Sequence, residues 1–140
     1  MKVVYPILIV EHQKVFLVFV PDFDIYTEGK SVADAIEMAR DAIGLKGIDY
    51  QDDGKELPKP STYADAIKIA KKDAEIFDYS VGITTMVDVD LAEYRKKHEQ
   101  RMVKKNCTIP YYLNVKAEKE GINFSQLLQE ALQKKLGLIK

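Results

Sequence analysis

Six carboxylates are the residues of this sequence whose type suits metal-dependent chemistry. They are Glu11, Asp22, Asp24, Glu28, Asp88 and Asp90. A two-metal nuclease needs several carboxylates that converge on divalent ions, and sequence spacing leaves that alternative open. Most of these acids, however, stand at the ends of predicted strands and in turns, where carboxylates are ordinarily solvated. We therefore predict no catalytic residue, no bound metal and no cofactor.

Other reactive side chains are few. His12 and His98 are far apart and lack the spacing of a zinc site. Cys107 is the one cysteine, so no disulfide can form within the chain, and we expect it to face a core and to be unreactive. The sequence contains no glycine-rich phosphate loop. These features favour a binding protein over an enzyme.

The charges are divided unevenly along the chain. Residues 1–94 contain 10 Lys or Arg against 18 Asp or Glu, which is a net charge of −8, whereas residues 95–140 contain 11 against 4, which is +7. Such asymmetry is typical of a nucleic-acid-binding segment joined to a part with another role. The acidic part would repel a polyanion and attract a basic protein. The alternative is a basic tail that has no partner.

The first half of the sequence predicts strands. Val3–Val10 and Val15–Val20 are β-branched and aromatic runs around a short polar loop, which is typical of a hairpin. Residues 25–27 can form a third strand, and residues 81–89 alternate apolar and polar residues as a later strand does.

Two helices are predicted between those strands. Ser31, with Asp34 three residues later, resembles a capping box, and Gly44 favours a helix end. After a loop, a second helix should run from about Tyr63 to Ala74, capped by Ser61 or Thr62. This order predicts an α+β fold in which helices pack on one face of an antiparallel or mixed sheet.

The C-terminal segment predicts one strand and two helices. Lys104–Pro110 is a short strand that ends at Pro110, which suits the first position of a helix. That helix ends at Gly121, and Asn123 caps a second helix whose wide apolar stripe is closed by Gly137. A unit of this size cannot cover that stripe by itself.

A pair of chains would remove this deficit. Two strands would pair as an antiparallel ribbon and the helices would interlock, which is the ribbon-helix-helix dimer. The predicted shared core comprises Cys107, Ile109, Leu113, Leu127, Leu128 and Leu132. Strand alternation then turns the remaining side chains outward, where a ribbon in the major groove reads bases: Lys104, Asn106 and Thr108. The predicted phosphate contacts are Lys97, Arg101, Lys105, Asn123 and Ser125.

Two alternatives remain for this segment. Lys104 and Thr108 could be ordinary solvated strand residues. A helix-turn-helix could use residues 121–123 as its turn and present outward Gln126, Gln129 and Gln133. That arrangement would leave the strand before Pro110 without a role.

Several stretches of the sequence resemble the HicB family. They are the residues PDFD at 21–24, TEG at 27–29, SVADAI at 31–36 and LPKPS at 57–61, the last being similar to the family's Pro-x-Pro-Ser loop. Residues 121–132, GINFSQLLQEAL, are similar to the ribbon-helix-helix version of the family. One departure is the sequence Phe23-Asp24-Ile25, where the family commonly has a Pro-Gly-Cys-like segment.

The resemblance implies a function and a fold. The function is that of an antitoxin that binds a HicA-like toxin, a small basic mRNA endoribonuclease, masks its catalytic histidine, and as a dimer represses its own operon. A stand-alone ribbon-helix-helix regulator is the alternative. The implied N-terminal domain is similar to a partial RNase H fold without its working metal site.

The expected domains are a toxin-binding domain over 1–94, a basic linker over 95–103 and a ribbon-helix-helix domain over 104–140. The expected partners are the toxin, double-stranded operator DNA and a second copy of the chain, in a homodimer or a higher oligomer. Apolar runs are strand-sized and no secretion signal is recognisable, so we expect a cytoplasmic protein without a membrane segment.

Overall fold

The computed structural model describes residues 1–72, 74 and 77–140, which form two compact units, Met1–Arg101 and Met102–Lys140. The first unit contains strands β1 (Lys2–His12), β2 (Val15–Val20), β3 (Ile25–Gly29) and β4 (Ile83–Asp90). Its helices are α1 (Val32–Asp52), α2 (Tyr63–Lys72) and α3 (Leu91–Glu99), with short 3-10 turns at Pro21–Phe23 and Tyr79–Val81. The second unit contains α4 (Tyr111–Lys119) and α5 (Phe124–Lys135).

The sheet is antiparallel throughout, with the strand order β3-β2-β1-β4. His12 of β1 pairs with Val15 of β2, so only Gln13 and Lys14 connect the two strands. Both have positive φ, 50° and 67°, as a type I′ hairpin turn requires. The predicted hairpin is confirmed, and β1 continues two residues beyond the predicted Val10 to His12.

Helices cover both faces of this sheet. Residues 5–10 of β1 are buried without interruption. The side chains of Tyr5, Ile7 and Ile9 join the core with α1, whereas Leu8 packs with Ala66 and Ala70 of α2. The prediction of helices on one face is wrong, because an unbroken apolar strand is apolar on both faces and needs cover on each.

Helix α1 begins as predicted and ends later than predicted. The Ser31 hydroxyl accepts a hydrogen bond from the Asp34 amide (3.0 Å), and the Asp34 carboxylate accepts one from the Lys30 amide (2.8 Å). The predicted end at Gly44 is wrong, since the helix continues to Asp52.

Glycines 44 and 47 are buried inside α1 because α3 packs closely against them. A Cβ on Gly44 would lie 2.6 Å from the ring of Tyr94, and one on Gly47 would lie 2.7 Å from Cδ2 of Leu91. Gly44 and Gly47 therefore allow α3 to pack closely against α1, and they do not end the helix.

Helix α3 belongs to the first unit. Its Leu91 is buried, and the Tyr94 hydroxyl donates a hydrogen bond to Oδ1 of Asp41 (2.8 Å). Burial, followed by this hydrogen bond, raises the pKa of Tyr94 to about 12. Arg95 binds Asp52 of α1 at 2.9 Å. The predicted domain boundary after residue 94 and the linker over 95–103 are therefore wrong, and the unit continues to Arg101.

Helix α2 is capped by Thr62, whose hydroxyl accepts a hydrogen bond from the Asp65 amide at 3.2 Å. Ser61, the other predicted cap, donates from its amide and its hydroxyl to the Asp22 carboxylate. The helix ends at Lys72. The predicted end at Ala74 follows Asp73, which lies outside the described residues.

The second unit contains the two predicted helices but no strand. Residues 101–110 have no regular secondary structure, because this unit offers no second strand to pair with them. Pro110 is the N-cap of α4 and not its first residue. The Asn123 side chain caps α5 by accepting from the Gln126 amide (3.1 Å), as predicted. Both predicted glycine stops are confirmed, with φ of 67° at Gly121 and 76° at Gly137.

We expect Gly44→Ala to lower the free energy of unfolding by about 1–3 kcal/mol, because the added methyl overlaps the Tyr94 ring. In a Tyr94→Ala background the same change should stabilise the protein by up to about 1 kcal/mol, since alanine is the better helix former. Urea unfolding of the four proteins measures both effects. A stabilising Gly44→Ala with Tyr94 intact would contradict the close α1–α3 packing.

Candidate nucleic-acid and dimer interface

The carboxylates considered for metal binding are engaged in other interactions or stand apart. Asp22 accepts hydrogen bonds from Ser61, and Asp90 caps α3 by accepting from the Glu93 amide (3.2 Å). Asp88 binds Lys2 at 3.3 Å, and the hydrogen bond from Lys2 is the main cause that lowers the pKa of Asp88. Among the described residues, no group of three or more His, Cys, Asp or Glu could hold a metal ion.

The two histidines serve as packing partners in different elements. The ring of His12 meets Phe77 edge-on at 5.2 Å, and the ring of His98 stacks on Tyr94 at 6.0 Å. These contacts place the imidazoles against aromatic surfaces.

No described helix is long and apolar enough to cross a membrane.

The second unit has no buried residue of its own. Every residue from 102 to 140 is exposed except three that are half-buried, Asn114, Val115 and Ala117. All six predicted core residues are exposed: Cys107, Ile109, Leu113, Leu127, Leu128 and Leu132. An apolar stripe left open on this scale is typical of a surface that another chain covers.

A groove of about 490 Å³ lies within this unit. Its lining comprises Lys105, Cys107, Ile109, Asn114, Phe124, Ser125, Leu127, Leu128 and Ala131. Cys107 is exposed in the single chain, so the prediction that it faces a core is not met by one chain alone. In the predicted dimer, a second chain supplies the rest of the core that covers Cys107.

Alternate residues of the segment before Pro110 line this groove. Residues 105, 107 and 109 contribute to the lining, whereas Lys104, Asn106 and Thr108 are exposed and lie outside it. The structure thus separates the segment into the two sides that period-two alternation predicts. Lys105, predicted as a phosphate contact, lies on the groove side.

The predicted phosphate contacts fall in both units. Lys97, in α3, and Arg101 are exposed residues of the first unit. Asn123 is the cap of α5, and Ser125, in the first turn of α5, lines the groove. The second unit carries seven Lys against three Glu, so it is cationic by itself.

Sequence reasoning missed one polar residue of the groove, Asn114, and assigned two others, Lys105 and Ser125, to phosphates. Period-two alternation could have placed Lys105 in the groove, because it lies two residues before Cys107. Asn114 gave no such signal, because a polar residue near a helix start is ordinarily assigned to capping or to solvent.

Comparison with known proteins agrees with this architecture. A family model described as the HicB-like antitoxin of bacterial toxin–antitoxin systems matches residues 5–131. A chain of a toxin–antitoxin complex from Streptococcus pneumoniae is 31% identical, with 96% of this chain and 99% of that chain covered and a TM-score of 0.60. The antitoxin HicB of Burkholderia pseudomallei, 21% identical, shares the fold with a TM-score of 0.51 over 98% of each chain. No curated protein sequence gives a significant match.

The family match and the structural match to the Streptococcus chain each span nearly the whole sequence, across both units of the structure. The arrangement of the first unit and the two helices of the second are thus part of what is matched. This chain belongs to the HicB-like antitoxin family of bacterial toxin–antitoxin systems.

Proposed function

We propose that this antitoxin neutralises a HicA-type mRNA endoribonuclease toxin through its first unit and, as a dimer, represses its own operon through its second unit. The observation that carries the proposal is the division of the chain into an acidic unit with a complete core and a cationic unit without one. The two units have different charges and different degrees of self-sufficiency, so two different partners suit them.

The toxin-binding part of the proposal is supported by charge and by similar proteins. The first unit, residues 1–101, carries 14 Lys or Arg against 19 Asp or Glu. A ribonuclease needs cations for its polyanionic substrate, so an acidic surface is a suitable inhibitor of it. The Streptococcus chain that is 31% identical comes from a toxin–antitoxin complex, which favours a toxin as the partner of this chain as well.

The dimerisation part of the proposal is supported by the exposed groove of the second unit. A second copy that pairs its residues 104–110 with those of the first would form the antiparallel hydrogen-bond ladder that neither segment can form alone. The same pairing would cover the exposed side chains of Leu127, Leu128 and Leu132. Because each copy supplies what the other lacks, folding of the ribbon and dimerisation should be one event.

The DNA-binding part of the proposal follows from the outward side of that ribbon. Lys104, Asn106 and Thr108 lie away from the groove, so they would face the major groove of operator DNA in the dimer. Lysine can donate to guanine and asparagine can bond adenine bidentately. Lys97, Arg101 and the amides near Asn123 and Ser125 are assigned to phosphates, whereas Lys105 lies on the groove side, which the second copy would cover.

The proposal gives this chain no catalytic residue. The carboxylates of Asp22, Asp88 and Asp90 are already bound to Ser61, to Lys2 and Arg40, and to the first turn of α3. A stand-alone ribbon-helix-helix regulator would share the second unit but would not bind a toxin.

A fragment comprising Met1–Arg101 should bind and neutralise the toxin, because the core of that unit is complete within it. Growth of cells that express the toxin measures rescue, and co-purification measures binding. The fragment Met102–Lys140 is the control and should not rescue. A folded Met1–Arg101 fragment without affinity for a toxin that the full chain binds would contradict this assignment.

Asn106→Ala and Thr108→Ala should each weaken operator binding by about 1–3 kcal/mol and relax sequence preference, as loss of a base contact does. Lys97→Ala should weaken binding to all DNA sequences alike and lower the salt slope by about one. Fluorescence anisotropy with operator and scrambled duplexes measures both. If Gln129→Ala abolishes binding and Asn106→Ala has no effect, the helix-turn-helix alternative is correct.

Leu128→Asp should abolish dimerisation and operator binding, because it places a charge where the two chains share their apolar groove. Toxin binding by the first unit should persist. Sedimentation of the full-length protein and its toxin complex distinguishes these effects. Lys140→Asp, at the exposed chain end, is the control for added negative charge. A dimeric Leu128→Asp protein would show that the groove is not the dimer interface.

A further inference from the structure

The two helices that cover the sheet present surfaces of opposite charge. Helix α1 carries five acidic residues, Asp34, Glu37, Asp41, Asp49 and Asp52, against Arg40 and Lys46. Helix α2 carries three lysines, Lys68, Lys71 and Lys72, against Asp65. Because α1 and α2 pack on opposite faces of the sheet, the acidic surface of α1 and the cationic surface of α2 lie on opposite sides of the first unit.

The outward face of α1 also exposes apolar side chains. Met38 and Leu45 are 39% and 42% exposed. They are seven residues apart, so they share one face and are separated by roughly 10 Å along the helix axis. Asp41 lies between them in the sequence, at a spacing of three and four residues that places it on the same face.

Two acids on this face keep their charge available. Among the described residues no ion pair engages Asp41 or Asp49; the partner of the Asp41 carboxylate is the neutral hydroxyl of Tyr94. By contrast, Glu37 pairs with Arg40 and Asp52 pairs with Arg95. The hydrogen bond from Tyr94 holds the Asp41 carboxylate in place and brings no charge to it.

We propose that this face of α1, formed by Met38, Asp41, Leu45 and Asp49, is the surface through which the first unit binds the toxin. The inference rests on the proposed function, and it names the surface that the partner uses. Two apolar side chains flanked by acids provide the apolar centre and the polar rim of a protein interface. A ribonuclease has a cationic surface for its substrate, and that surface complements α1 and is repelled by the lysines of α2.

Met38→Lys should weaken binding of the wild-type toxin to the full-length protein by at least about tenfold, because it removes an apolar contact and adds a repelling charge. The matched control is Met86→Lys, which makes the same substitution at a methionine that is 49% exposed. Met86, in β4, is paired with Pro6 of β1. Pro6 is two residues from Leu8, which packs against α2, so Met86 lies on the α2 side of the sheet. That control should change the Kd less than about twofold.

A second pair of variants tests the charge alone. Asp49→Lys should slow association with the toxin, and the effect should shrink as salt is added. Asp65→Lys, the same change on α2, should leave the rate unchanged. Stopped-flow association at low and high salt measures both, and circular dichroism shows that each variant is folded.

The outcomes separate the two proposals. Equal effects at Met38 and Met86, or wild-type affinity in folded Met38→Lys and Asp49→Lys proteins, would overturn the α1 surface while leaving toxin neutralisation intact. Should Met38→Lys not fold, Leu45→Lys takes its place with the same expected loss. A wild-type protein that binds no HicA-type toxin would overturn the proposed function itself and this inference with it.

Discussion

Strand β1 is buried on both of its faces, and the arrangement of the first unit depends on this burial. Its residues 5–10 are covered by α1 on one side and by α2 on the other. A single layer of helices would leave one of these apolar rows in water, at a cost of about 25 cal/mol for each Å² left exposed. The requirement for two covers places α1 and α2 on opposite sides of the sheet, and their charges are separated as a consequence.

The second unit is constrained by what it lacks. It exposes large apolar side chains, among them Leu127, Leu128 and Leu132, and none of its 39 residues is buried in a single chain. Small domains of this size reach stability by adding a disulfide, a metal or a partner. Its one cysteine excludes an internal disulfide, and no described group of residues could hold a metal. A second copy of the chain is the source of burial that the proposed function assigns to this unit.

Where sequence reasoning went wrong, a local signal was overruled by packing between elements. Gly44 reads locally as a helix stop, but in the fold it is the position where the ring of Tyr94 approaches α1. The sequence of residues 95–99 is typical of a charged linker. In the fold these residues belong to α3, which contacts α1 through Leu91, Tyr94 and Arg95. Both errors concern a helix–helix contact between segments more than forty residues apart, for which periodicity gives no signal.

The local pattern of residues was enough to predict the α+β class, the hairpin, the caps of α1 and α5 and the helices of the second unit, because each depends on neighbours within a few residues. It also determined the alternation that separates residues 105, 107 and 109 from residues 104, 106 and 108. Such a pattern could not predict the face that each helix covers, the extent of the first unit, or the separation of the acidic α1 from the cationic α2. Those properties arise from contacts between residues distant in the chain, whose pairing is settled when the apolar faces of the sheet are buried.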